Sequence, residues 1–148
     1  MSSILGKYSA QAYALMRIVT GFLFLCHGTQ KLFGFPGAAH PSPPFITYAA
    51  GSIELIGGLL IMIGLVTPWV AFICSGEMAV AYWTRHGIKD PFPLLNGGEL
   101  AVLFCFSFLY IAAHGSGIWS VDAAREGASR RSALRSSHAG RLDAPLRG

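Results

Sequence analysis

The sequence predicts an all-α fold: a transmembrane four-helix bundle with cytoplasmic termini and a disordered basic C-terminal tail. Three observations predict it. Four apolar stretches, near residues 10–33, 45–66, 69–86 and 96–115, are each about as long as a helix must be to cross a ~30 Å hydrocarbon core. Only 12% of the 148 residues are charged, about half the share of an average soluble domain. Residues 55–66 and 100–113 also lack the broad polar face that a soluble bundle turns toward water. On this reading residues 1–122 are one transmembrane domain and residues 123–148 are the tail.

The first stretch follows Lys7 and could pass for a secretory leader, but no small-x-small cleavage site comes after it, so it is expected to be retained. Its connection to the second, GFPGAAHPSPP over residues 34–44, cannot continue a helix, because proline lacks an amide donor and restricts its neighbour. Stretches two and three are separated only by Thr67-Pro68, where Thr67 can cap and Pro68 can open the next helix, which makes an antiparallel hairpin. The third connection, HGIKDPFPLLNGG over residues 86–98, has two prolines and a Gly pair before the apolar run resumes. An even number of spans puts both ends on one side. That side carries Lys7 and six tail arginines (Arg125, Arg130, Arg131, Arg135, Arg141, Arg147), against Lys31, Arg85 and Lys89 opposite, so the positive-inside rule makes the termini cytoplasmic.

Past Asp122 the chain has few large apolar residues and disorder is expected, with its arginines available to anionic lipid headgroups. The net charge of +4 resides in this tail. No basic stripe or reading motif accompanies it, which excludes nucleic acid as a partner.

Charges within a span cost about 2.5–3.5 kcal/mol each, so they turn inward and find partners. Arg17, Thr20, Gly21, Phe24, His27, Gly28 and Lys31 share one face of the first span. Glu54 sits among Gly51, Gly57, Gly58 and Gly64, small residues that let a neighbouring helix come close. Cys74, Glu77, Ala81 and Thr84 align in the third span, and Glu99, Leu103, Phe106, Tyr110 and Ala113 in the fourth, near His114. Arg17 and Lys31 are about 21 Å apart along a helix, which predicts two clusters. The outer one, His27, Lys31, Glu54, Arg85, Asn96 and Glu99, is the candidate ligand or proton pocket. The deeper one is a structural Arg17–Glu77 pair.

Cys26, Cys74 and Cys105 lie in separate apolar stretches without a CxxC or metal-ligand spacing and are read as small buried hydrophobes, and no metal site is expected. Trp69, Tyr82, Trp83 and Trp119 fall at predicted boundaries as interfacial anchors. His40 and His138 are read as solvated.

The order of these motifs resembles the DoxX family of small four-helix membrane proteins over about residues 13–122. The matching segments are MRIVTGFLFLCHGTQKLFG (16–34), GSIELIGGLLIMIGL (51–65), NGGELAVLF (96–104) and GSGIWSVD (115–122). The resemblance implies a multi-pass plasma-membrane protein, and some such relatives are subunits of thiosulfate:quinone oxidoreductase or of other membrane redox assemblies. It points to Arg17, His27, Gly28, Lys31, Glu54, Asn96, Glu99 and Asp122. Nothing in the chain forms a flavin or nicotinamide loop, so a redox role requires a partner protein, with quinone as a ligand and no covalently bound cofactor. A homo-oligomer fits the same reading. A non-catalytic scaffold that stabilises a partner is the alternative. A small transporter ranks third, since four spans without inverted repeats or broken helices lack the usual architecture.

Overall fold

A computed structural model describes residues 4–37 and 43–142, with side chains described as far as residue 134. Among the described residues all regular structure is helical, as expected. After a short 3-10 turn, Gly6–Tyr8, come α1 (Ser9–Phe33), α2 (Pro44–Ile63), α3 (Thr67–Ala81), which continues as a π-helical turn (Tyr82–His86), the single-turn α4 (Pro93–Asn96), α5 (Glu99–His114) and α6 (Val121–Leu142). Two helices, Gly6–Phe33 and Pro44–Ile63, are long and apolar enough to cross a membrane, and Glu99–His114 is a shorter apolar helix. His40 and residues 143–148, as well as the side chain of His138, lie outside the described residues.

Helix ends follow glycine. Gly64, at φ 72°, closes α2 three residues before the expected end at residue 66. The amide of Leu65 reaches Leu60 O and that of Gly64 reaches Ile61 O, the paired bonds of a Schellman turn.

The helices associate as two pairs, α1 with α2 and α3 with α5, with slighter contact between the pairs. Glycine makes the first pair. A Cβ on Gly28 would stand 2.3 Å from the Leu55 amide nitrogen, one on Gly58 2.5 Å from that of Leu25, and one on Gly21 2.7 Å from that of Met62. The two backbones therefore touch, and dispersion between them replaces side-chain interdigitation. In the second pair the Ser75 hydroxyl donates to Cys105 O at 2.8 Å. Phe24 joins the pairs, with its ring 5.3 Å from that of Phe104 and 4.6 Å from that of Phe108.

Two sequence expectations are corrected here. The inward face of α5 is Ala101, Phe104, Phe108 and Ile111, not the Glu99, Leu103, Phe106, Tyr110 set, whose members are exposed. Both faces of this helix are apolar, so periodicity alone does not choose between them, and the ring stack on Phe24 does. The tail is not disordered throughout, since α6 runs to Leu142. Ala, Arg and Glu favour helix without a core, and Ser120 caps it, its hydroxyl accepting the Ala123 amide at 3.2 Å.

The outward surface is apolar, with Phe22, Ile56, Phe72, Ile73, Leu103 and Phe106 each more than half exposed. Trp69, Trp83 and Trp119 are exposed, as anchors would be, but Tyr82 is buried.

Gly28→Ala is expected to destabilise the protein by about 1–3 kcal/mol through overpacking. Gly76→Ala on α3, where a Cβ meets nothing within 4 Å, is expected to be neutral or stabilising. Thermal unfolding in detergent distinguishes the two, and equal midpoints would refute the close backbone contact.

Candidate functional site

The four longer apolar helices leave a cavity of about 920 Å³ between the two pairs, toward the end that holds the α1–α2 connection. The glycine contact that draws α1 onto α2 also sets Lys31 beside Glu54, whose carboxylate Oε1 accepts from Lys31 Nζ at 2.6 Å. It is the one ion pair among the described residues. The Glu54 side chain is 3% exposed and that of Lys31 31%, so the pair lies on the cavity wall with its cationic end toward solvent. Glu77 of α3 lines the same cavity. Glu54 Oε2 and Glu77 Oε2 are both buried and have no hydrogen-bond partner. His27, half-buried, lines it too, its ring edge-on to Phe104 at 5.8 Å. Phe24, Phe45 and Phe104 supply aromatic walls.

Glu77 therefore belongs with the outer cluster, and the expected Arg17–Glu77 pair does not form. Arg17, fully buried, turns to the opposite end. Its Nη1 donates to Ile61 O at 2.6 Å and Met62 O at 2.8 Å, and its Nη2 to Trp119 O at 2.8 Å and Ile118 O at 3.4 Å. Two of these are carbonyls in the last turn of α2: Met62 O, which has no partner within the helix, and Ile61 O, which also accepts the Gly64 amide. Seeking a carboxylate for the arginine overlooked that backbone carbonyls at a helix end are equally in want of a donor.

Asn96 lines the cavity, but its amide is taken up by the connection around it. Nδ2 donates to Asp90 O at 2.6 Å and to the Tyr82 hydroxyl at 3.2 Å, while Oδ1 accepts the Gly98 amide at 2.7 Å. Tyr82 in turn donates to Pro91 O at 2.9 Å. Tyr82 was not legible as a loop organiser, since an aromatic at a span boundary reads equally well as an anchor. Arg85 is half-buried near the mouth, on the cavity wall with His86 and Lys89. Glu99 is exposed and does not line the cavity, because α5 presents its other face.

Asp122, together with Arg17, holds the end where α2 turns into α3. Its carboxylate accepts the amides of Val66 at 3.0 Å and Thr67 at 3.1 Å and the Thr67 hydroxyl at 3.2 Å. The expected role of Thr67 as a cap is thus corrected: Thr67 is the first residue of α3, and the cap comes from 55 residues away. Val66, at φ 51°, has no side-chain acceptor to offer, which is the sequence signal that the helix start needs one from elsewhere.

A family model described as DoxX matches residues 12–87, which takes in His27, Lys31, Glu54, Glu77 and Arg85 but not α5. An uncharacterized protein of Haemophilus influenzae is 40% identical over 126 residues, covering 80% of this chain and 93% of its own length. A Bacillus subtilis protein named "Putative oxidoreductase CatD" is 30% identical over 113 residues, covering 73% of this chain and 82% of its own. No solved structure matches.

Burial opposes the charged form of Asp122, but the Val66 and Thr67 donors and nearby Arg125 outweigh it and hold its pKa below the ordinary 3.8. A depressed carboxylate pKa stabilises the folded state fully above the unfolded value and loses that contribution as pH falls through the folded one. The protein is therefore expected to lose stability as pH drops below about 3.8. Asp122→Ala should be less stable at pH 7 and should flatten this acid limb. A variant whose unfolding midpoint keeps the wild-type slope between pH 5 and 3 would show that Asp122 does not cap α3.

Proposed function

The chain belongs to the DoxX family, and we propose that it is a multi-pass protein of the plasma membrane that serves as the membrane subunit of a quinone-linked or sulfur-linked redox system. In this reading α1, α2, α3 with its π turn, and α5 each span the bilayer, with both termini cytoplasmic. Length supports it. α2 has 20 residues and α3 with its turn the same number, each about 30 Å of helix, and α5 with 16 residues reaches about 24 Å, with α4 before it. The basic α6 then lies on the side of the anionic inner leaflet, within reach of its headgroups.

One observation carries the redox reading: an aromatic-walled cavity of about 920 Å³ that contains the Lys31–Glu54 pair, His27 and Glu77. Cavities of that size suit a cofactor-sized ligand. Charged groups held within a membrane mark ion, proton or ligand sites more often than structural contacts. Lys31 and Arg85 are placed to hold an anion or a quinone oxygen, and His27 and Glu77 to exchange protons. Electrons come from a partner protein, since the chain has no dinucleotide loop. The name of the Bacillus subtilis relative agrees with this class.

The scaffold reading retains one specific support. Arg17, Asn96 and Asp122, three of the residues that the family resemblance singled out, are occupied in holding backbone together. It predicts a partner that remains bound when the cavity is altered.

Membranes containing the protein are expected to reduce added quinone faster than membranes lacking it, with a reduced sulfur compound as donor. Lys31→Ala and Glu54→Gln should lower the increment at least tenfold, while Glu99→Gln, outside the cavity, should leave it unchanged. Wild-type rates in folded Lys31→Ala protein would refute the redox reading. Co-purification of an undiminished partner with that variant would then favour the scaffold.

A further inference from the structure

The cavity wall carries a pattern of hydrogen-bonding groups that discriminates between the two redox forms of a quinone. Glu54 Oε1 is engaged by Lys31 Nζ at 2.6 Å, but Glu54 Oε2 and Glu77 Oε2 are buried without a donor. A buried carboxylate oxygen with no partner forfeits its desolvation cost, so a ligand that brings a donor to it gains that energy. Lys31 has three ammonium protons and gives one to Glu54. Donor and acceptors thus line one cavity, Lys31 and Glu54 from the α1–α2 pair and Glu77 from α3.

From this arrangement we propose that the cavity takes a hydroxylated aromatic, the dihydroxy quinol form, in preference to the quinone. The inference rests on the quinone-linked reading above and deepens it. A hydroxyl gives one hydrogen bond and accepts others, so a single quinol oxygen can accept from Lys31 and donate to Glu54 Oε2 or Glu77 Oε2. A quinone carbonyl only accepts. It can meet Lys31, but against either carboxylate oxygen it places lone pair on lone pair. A proton on one of the two carboxyls supplies one donor and still leaves the other oxygen in want of one. A protonated amine, the other donor class, would satisfy the carboxylates but add a positive charge to a cavity already lined by Lys31, Arg85 and Lys89. The aromatic ring itself is favoured by Phe24, Phe45 and Phe104, the first and last with centroids 5.3 Å apart.

The test is equilibrium binding of three probes with one carbon skeleton to the purified full chain in lipid nanodiscs without oxygen: duroquinol, duroquinone and the dimethyl ether of duroquinol. Duroquinol is expected to bind at least tenfold more tightly than duroquinone, and the ether no better than the quinone. Glu77→Gln, which replaces one acceptor oxygen by a donor, should bring the quinol-to-quinone ratio below threefold at an unchanged unfolding midpoint. Quinone binding as tight as quinol, ether binding as tight as quinol, or a ratio unaltered in folded Glu77→Gln would each overturn the preference and leave the quinone-linked reading standing. Binding of none of the three up to their solubility would overturn both. Should Glu77→Gln not fold, the wild-type comparison of quinol with its ether decides alone.

Discussion

Backbone groups at a helix end must find partners, and in an apolar surrounding water does not supply them. The Arg17 guanidinium meets that constraint for this fold. Buried completely, it draws the carbonyls that end α2 and those of the 118–119 turn onto one cation. Asp122, just beyond that turn, meets the converse need, accepting the amides that begin α3, while its own amide donates to Gly64 O at 3.0 Å. A cation on carbonyls and an anion on amides complement the helix dipoles as well as the hydrogen bonds. Neither residue pairs with the other. Together they fix where α2 stops, where α3 starts and where the chain goes after α5.

With the α2–α3 end fixed in this way, the rest of the geometry follows from how closely α1 can approach α2. Gly21, Gly28 and Gly58 allow the backbones to touch, and that contact brings Lys31 Nζ within 2.6 Å of Glu54 Oε1. On the other side of the cavity no glycine draws α3 against α1, and the Phe24, Phe104 and Phe108 rings hold the pairs together below it. The cavity is the space left when one helix pair closes on glycine and the second is held off it by aromatic rings.

Much of this was legible in the sequence. The inward face of α1, from Arg17 through Gly21, Phe24 and Gly28, is buried as its spacing requires, and so are Glu54 and its flanking glycines on α2. The outer cluster of His27, Lys31, Glu54 and Arg85 lines one cavity. What failed had a common cause. Periodicity locates a residue on a face but does not say what is opposite, so spacing alone pairs Arg17 with a carboxylate although carbonyls lie in front of it. On α5 even the face was ambiguous, since Phe104 and Phe106 are equally apolar and only the ring stack on Phe24 decides. The reach of Asp122 to Thr67 crosses 55 residues, and local capping rules look no further than one turn.

The polar residues of this chain consequently divide by whether their hydrogen-bonding capacity is spent. Arg17, Asn96 and Asp122 direct most of theirs at backbone groups, although Arg17 Nε stays buried and unpaired, and a change at any of them is felt first as lost structure. Glu54 and Glu77 each keep a buried oxygen unpaired. Groups left in that state cost stability and lower it for no structural return, which is how a binding site differs from a structural contact of the same composition. The distinction also explains why family resemblance and burial selected overlapping residues for different reasons. Resemblance marked both kinds alike, and it is an unspent oxygen together with a place on the cavity wall that separates a group able to recognise a ligand from the contacts that hold the cavity open.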